Sequence, residues 1–124
     1  MCGRYAATAN PDELVLEFEV DEDRTGEPAR SVLASPQDPP PGRPDHNVAP
    51  TKQAPVVLSR PPREDRDAPP VRQLRLLTWG LVPSWSKDAR GGARMINARV
   101  ESVADKPSFA RALATRRALV PARG

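Results

Sequence analysis

Apolar and polar positions alternate most clearly between Val71 and Trp79. Leu74, Leu76 and Thr78 fall on one side of an extended chain, and Arg75, Leu77 and Trp79 on the other, which is the period-two pattern of a strand. Shorter apolar clusters predict further strands at residues 3–8, at Val56-Val57-Leu58, at Met95 to Ala98 and at Arg117 to Val120. Two helices are marked by how they begin. Asn10-Pro11-Asp12-Glu13 supplies an N-cap asparagine, a proline at the first helical position and acids in the first turn, with Leu14 and Phe18 one turn apart on the face to be buried. Pro107 opens a second, short helix that runs to Leu113. Between these elements polar residues dominate. Residues 21–45 are acidic and then proline-rich, with little that packs, and are expected to form a long loop or a disordered insertion. Residues 60–70 read as a charged proline loop and residues 86–94 as a flexible basic one. The strand at 117–120 has no evident partner. The pattern as a whole predicts an α+β, mostly antiparallel and β-rich fold, with residues 1–124 as one partial domain truncated before its C-terminal strands. An unpaired edge of this kind predicts marginal stability.

Composition narrows the picture. The 124 residues include 38% hydrophobic and 4% aromatic residues, so the core is aliphatic and small. Sixteen prolines favour turns and extended segments over long helices. No apolar run reaches the length of a transmembrane helix, and no basic-then-apolar leader opens the sequence, so a soluble, cytoplasmic protein is expected. A single cysteine excludes an internal disulfide, and with a single histidine it leaves no structural zinc site, so no metal is expected. The net charge of +3 is unevenly spread. Residues 1–70 hold 8 Lys/Arg against 13 Asp/Glu, and residues 71–124 hold 11 against 3. The basic half suits a polyanion such as nucleic acid, or is a solvated arginine-rich surface.

The candidate chemistry lies at Met1-Cys2-Gly3-Arg4. Removal of Met1 before a small residue would leave Cys2 with both an α-amine and a thiol, each partly nucleophilic near neutrality. A 1,2-aminothiol condenses with an aldehyde to an imine, and its thiolate then closes a thiazolidine ring. Its other use is thiolate attack on an amide carbonyl with the amine as local base.

Five separated motifs lie in order along the chain: Cys2-Gly3-Arg4-Tyr5, Asn47-Val48-Ala49-Pro50-Thr51, Trp79-Gly80-Leu81-Val82-Pro83-Ser84-Trp85, Asn97-Ala98-Arg99-Val100-Glu101 and Arg117-Ala118-Leu119-Val120-Pro121. Together they resemble the SRAP family, the SOS-response-associated peptidases or abasic-site-processing proteins. The resemblance spans both ends of the chain and excludes mainly residues 21–45. It implies a protein of the DNA damage (SOS) response that binds single-stranded DNA and traps abasic sites as a thiazolidine crosslink through Cys2. It implies Asn97 as an active-site amide, contacting the opened sugar or orienting the cysteine. Arg4 and Arg99 match phosphate-binding positions, where a guanidinium gives bidentate contacts. Pro50 and Trp85 match apolar elements that wedge against flanking bases, whereas Trp79, at the end of the alternating strand, reads as core. No cofactor, membrane or metal is implied. The partner is single-stranded DNA carrying abasic sites, bound by a monomer that associates with the bacterial nucleoid when on DNA.

The chain departs from the family pattern at His46, where an aromatic residue is usual, and this histidine reads as a surface or packing substitution. The family's later aromatic-Glu-Trp and histidine motifs lie outside the sequence, which puts acid–base assistance in doubt. Glu101 reads as a structural partner of Arg99 or Arg4. Two other readings stay open: an N-terminal-cysteine hydrolase of amidotransferase or peptidase type, and an inactive truncated DNA-binding fragment.

Overall fold

Two long strands form the hairpin around which the rest is arranged. The computed structural model describes residues 2–27, 31, 33, 35–88 and 90–123. Strand β4 (Gln53–Arg60) pairs antiparallel with β5 (Val71–Thr78) over their full length, from Gln53 opposite Thr78 to Arg60 opposite Val71. The Val56-Val57-Leu58 cluster is thus the middle of an eight-residue strand. Residues 54–58 are all buried, and an unbroken buried run means that both faces of β4 are covered.

On the far side of β5 lies β2 (Glu22–Asp23), parallel to it, and on the far side of β4 lies β6 (Ala118–Leu119), antiparallel. The sheet order is β2-β5-β4-β6. The strand expected at 117–120 therefore has a partner: Leu119 stands opposite Val57 and Ala118 opposite Leu58. β6 reaches only those two residues of β4. Pro55 consequently has β5 alone as a neighbour, an edge-like position that a residue without an N–H tolerates.

The remaining pair is β1 (Tyr5–Ala7) and β3 (Asp45–Val48), antiparallel with Tyr5 opposite Val48. With helices α1 (Pro11–Glu17) and α2 (Pro107–Thr115), the architecture is α+β and β-rich, as the hydrophobic pattern predicts. Leu14 of α1 meets Val57 and Leu74 in the core, with Phe18, Val15, Val20 and Ala9 packed around them. Asn10 occupies the cap position of α1, but its side chain makes no capping bond. Its backbone carbonyl instead accepts from the N–H groups of Glu13 and Leu14 at 3.1 and 3.2 Å.

The stretch 21–45, expected as a loop or insertion, carries β2 and the start of β3. Arg24 pairs with Glu22, Glu27 and Glu64, linking this stretch to the proline loop. Gln37 donates to and accepts from the backbone of Gln53. The part of that expectation that falls on residues 28–30, 32 and 34 lies outside the described residues.

Two sequence expectations are corrected. Residues 86–94 include a 3-10 helix at Arg90–Arg94, although residue 89 is outside the described set. Met95 to Ala98 is no strand. Its carbonyls accept from Leu81 N–H (Met95, 3.1 Å) and from the Trp79 indole (Ile96, 2.9 Å), so they are not available to a ladder.

Candidate functional site

The cysteine segment is held by the β1–β3 pair. Val48, fully buried, fixes the register, and Tyr5 opposite it turns its ring edge-on to Trp79 with centroids 5.6 Å apart at 60°. Burial, and next the nearby Asp45 carboxylate, push the Tyr5 phenol above its ordinary range, so the ring sits here as a neutral packing group.

Trp79 links three segments. Its indole N–H donates to Ile96 O, its backbone N–H to Lys52 O at 3.0 Å, and its carbonyl accepts from Thr51 N–H at 2.8 Å. It is half-buried, held by these contacts at the edge of the fold and outside the buried core in which the alternating pattern placed it. Gly80 follows with φ +135°, and a Cβ there would stand 2.6 Å from Gly92 O, so only glycine lets these two loops approach. The next residue after Ile96 is Asn97. Its Nδ2 donates to Cys2 O at 3.0 Å, joining residues 95 apart in sequence. On the other side Arg4 Nη1 donates to Asn47 Oδ1 at 3.1 Å.

Beneath Asn47 lies an ion pair that organises the turn. The buried Asp45 accepts from Lys52 Nζ at 3.0 Å through Oδ2 and from Asn47 N–H at 2.8 Å through Oδ1. Lys52 Nζ also donates to Asn47 O and Asp38 O. Removing one member of a buried pair strands the other charge at about 3–5 kcal/mol when burial is complete. With Lys52 partly exposed, Lys52→Ala is expected to lower stability by about 2–3 kcal/mol, read from urea unfolding.

Between them, Ala49 O accepts from Lys52 N–H at 3.0 Å with Pro50 second and Thr51 third at φ +74°, the arrangement of a type II turn. A β-branched residue there is strained. Thr51→Gly is expected to stabilise the chain by about 1 kcal/mol, seen as a higher urea midpoint at unchanged slope.

The structure thus brings Cys2, Arg4, Asn47 and Asn97 together through hydrogen bonds, with Pro50 in the turn that follows Asn47. It does not join Arg99 or Trp85 to them by any such contact. Arg99 is exposed and pairs with Glu101 at 3.7 Å, which answers the question of that glutamate's partner. Trp85, 62% exposed, lines a groove instead. His46 is exposed on β3. Cys2 is exposed and is a free thiol. The removal of Met1 concerns a residue outside the described set. Sequence reasoning assigned no role to Asn47, Asp45 or Lys52. The first sat within a quoted motif, and the signal for the others was a lone acid and a lone lysine flanking it. Among the described residues no group of three or more His, Cys, Asp or Glu side chains is placed to hold a metal, and no helix is long and apolar enough to cross a membrane.

An exposed aminothiol would have open access to an electrophile, and Arg4 beside it would favour an anionic one. Comparison with known proteins bears on which. The sequence profile of the family described as SOS response associated peptidase (SRAP) matches residues 1–124. The chain is 32% identical over 124 residues to the abasic site processing protein YoqW of Bacillus subtilis (strain 168), covering 98% of this chain and 45% of that one. It is likewise 32% identical to YoaM of the same organism, over 44% of that protein's length. It is 33% identical over 112 residues to the abasic site processing protein HMCES of Mus musculus, covering 88% of this chain and 31% of that one. The chain therefore spans less than half the length of these curated relatives.

Proposed function

The chain belongs to the SRAP family, and from that premise we propose that it captures abasic sites in single-stranded DNA covalently through Cys2. The observation that carries this reading is the Asn97 Nδ2 to Cys2 O contact, which ties an exposed cysteine to an active-site amide, two residues before the exposed Arg4. In the ring-opened abasic sugar the electrophile is an aldehyde. The α-amine of Cys2, freed of Met1, adds to that carbon, and the carbinolamine loses one water to give an imine. The thiolate then adds to the imine carbon while the nitrogen takes up a proton, closing the thiazolidine. The balance is one aldehyde plus one aminothiol giving one ring and one water.

Asn97 acts by position: its amide holds the Cys2 carbonyl, and so the direction in which amine and thiol leave the backbone. Arg4 is held by Asn47 at one guanidinium nitrogen, Nη1, which leaves its other N–H groups for phosphate oxygens on the flanking nucleotides. Pro50 offers an apolar surface in the turn beside them. The test is a denaturing gel of the chain mixed with oligonucleotides that differ only in one abasic site. A shifted band with the abasic strand alone is expected. No shifted band, or an equal band with the intact strand, overturns the proposal.

A further inference from the structure

The strand pair beneath the cysteine segment is irregular at one place. Tyr5 stands opposite Val48 and Ala7 opposite Asp45, so β3 has two residues between these positions where β1 has one. The extra residue makes a bulge, a device that re-aims side chains. Asp45 and Val48 turn inward and are buried, while His46 and Asn47 between them are both exposed. A regular strand would have sent one of those two into the core.

Asn47 is gripped at both of its backbone polar groups. The buried Asp45 accepts from its N–H through Oδ1 at 2.8 Å, and Lys52 Nζ donates to its carbonyl at 3.0 Å. The two gripping side chains also bind each other, at 3.0 Å. The Asn47 side chain has one hydrogen-bond partner among the described residues: its Oδ1 accepts from Arg4 Nη1 at 3.1 Å. A guanidinium donates and never accepts, so it is the amide oxygen that faces Arg4.

An amide at this place leaves Arg4 charged. Arg4 has no ion pair among the described residues, although a carboxylate, Asp45, lies two residues from its tether. Lys52 takes that carboxylate. A carboxylate at position 47 would hold Arg4 more strongly and cancel its charge toward a phosphate. An arginine with no tether would keep its charge, but its long side chain would have to be ordered each time it bound.

We propose that Asn47 is a positioning residue for Arg4. It is a neutral tether, turned outward by the bulge and set by the Asp45–Lys52 pair, and it pre-orders the guanidinium that meets the DNA strand beside Cys2. This rests on the proposed capture, in that the anion Arg4 meets is the backbone of the captured strand.

The test reads non-covalent binding first. The probe is a labelled single-stranded oligonucleotide of about 12 nucleotides with one tetrahydrofuran in place of the abasic sugar. It has no aldehyde, so anisotropy reports affinity without capture. Asn47→Ala is expected to weaken binding about fivefold, the scale of ordering one long side chain, with the slope of log affinity against log salt unchanged. Arg4→Ala is expected to weaken it more and to lessen that slope by about 0.7. In the Arg4→Ala background, Asn47→Ala is expected to change nothing further. Asn47→Asp keeps a tether but neutralises Arg4, and is expected to lessen the slope as Arg4→Ala does. Asp45→Ala removes a negative charge, which by charge alone tightens binding; acting through Asn47 it is expected to weaken binding instead. Should Asp45→Ala lose its far-UV circular dichroism, the Arg4–Asn47 cycle decides. Unchanged affinity in Asn47→Ala, or an equal loss with and without Arg4, overturns the positioning role. An unchanged slope in Asn47→Asp overturns the neutral tether, and tighter binding by folded Asp45→Ala overturns the part given to the ion pair. A denaturing gel with a true abasic strand reads the capture separately. A chain that shows the Arg4–Asn47 coupling and gives no covalent band sustains the positioning and overturns the capture. A chain that crosslinks while Asn47→Ala binds as the parent does the reverse, and a chain that binds neither strand overturns both.

Discussion

On the proposed capture, Cys2→Ala is expected to give no stable band with an abasic-site oligonucleotide on a denaturing gel, against a clear band for the parent chain. The substitution removes the thiol and leaves the α-amine, so an imine still forms, but water reverses it and nothing survives denaturation. Adding borohydride during incubation reduces that imine to a secondary amine and restores a band. Cys2→Ser behaves like Cys2→Ala, because a hydroxyl is far from ionised near neutral pH and closes the ring poorly. A chain that retains Met1 gives no band with or without borohydride, its amine being tied up in a peptide bond. This three-way pattern assigns amine and thiol their separate steps. A stable band from Cys2→Ala without reductant would remove the thiol from the chemistry. Because Cys2 is exposed and donates no hydrogen bond through its side chain among the described residues, the substitution is expected to leave stability within about 0.5 kcal/mol.

Leu74→Ala is expected to have the largest effect on the fold. Leu74 is fully buried at the centre of β5, where it stands opposite Val57 and packs against Leu14 of α1. Deleting a buried leucine to alanine costs about 3–5 kcal/mol where the surroundings do not collapse into the space. Here one sheet strand, its neighbour and a helix share that contact, so relaxation at one is a loss at the others. Domains typically hold about 5–15 kcal/mol in all, and a core with so few fully buried side chains belongs at the lower end. The variant is therefore expected to be largely unfolded at room temperature, read by circular dichroism and by loss of a cooperative urea transition. Retention of a parent-like transition would mean that the core is not where these three residues meet.

How far the sequence shows this depends on how local the cause is. The Leu74–Leu76 alternation and the Pro11 and Pro107 helix starts are written into neighbouring residues, and the corresponding elements form. The partner of β6 is not local: nothing in Arg117 to Val120 points to Val57, sixty residues earlier. Met95 to Ala98 has strand-like composition, but the Trp79 indole and Leu81 take its carbonyls, a competition visible only once the chain is folded. The site divides in the same way. The motif resemblance put Cys2, Arg4 and Asn97 on one list, yet the contact that joins Cys2 to Asn97 has no signature in spacing. Asp45 and Lys52, on which the turn at Pro50 rests, look like ordinary surface charges until the depth of Asp45 is known.

The distance in sequence between Cys2 and Asn97 also sets when the site can exist. Strand β1 is made first, its partner strand β3 with Asn47 follows 43 residues after Arg4, and two further contacts come much later: Asn97 after 95 residues, and the Arg123 N–H that donates to Ala6 O at 2.8 Å after 117. At roughly 10 residues per second, β3 is made about four seconds after β1, but Cys2 waits about ten seconds for Asn97. During that interval it is open to any processing enzyme that needs an extended substrate, and it cannot yet hold a sugar in position. Topology alone thus leaves an interval for maturation of the cysteine before the contact that completes the site can form.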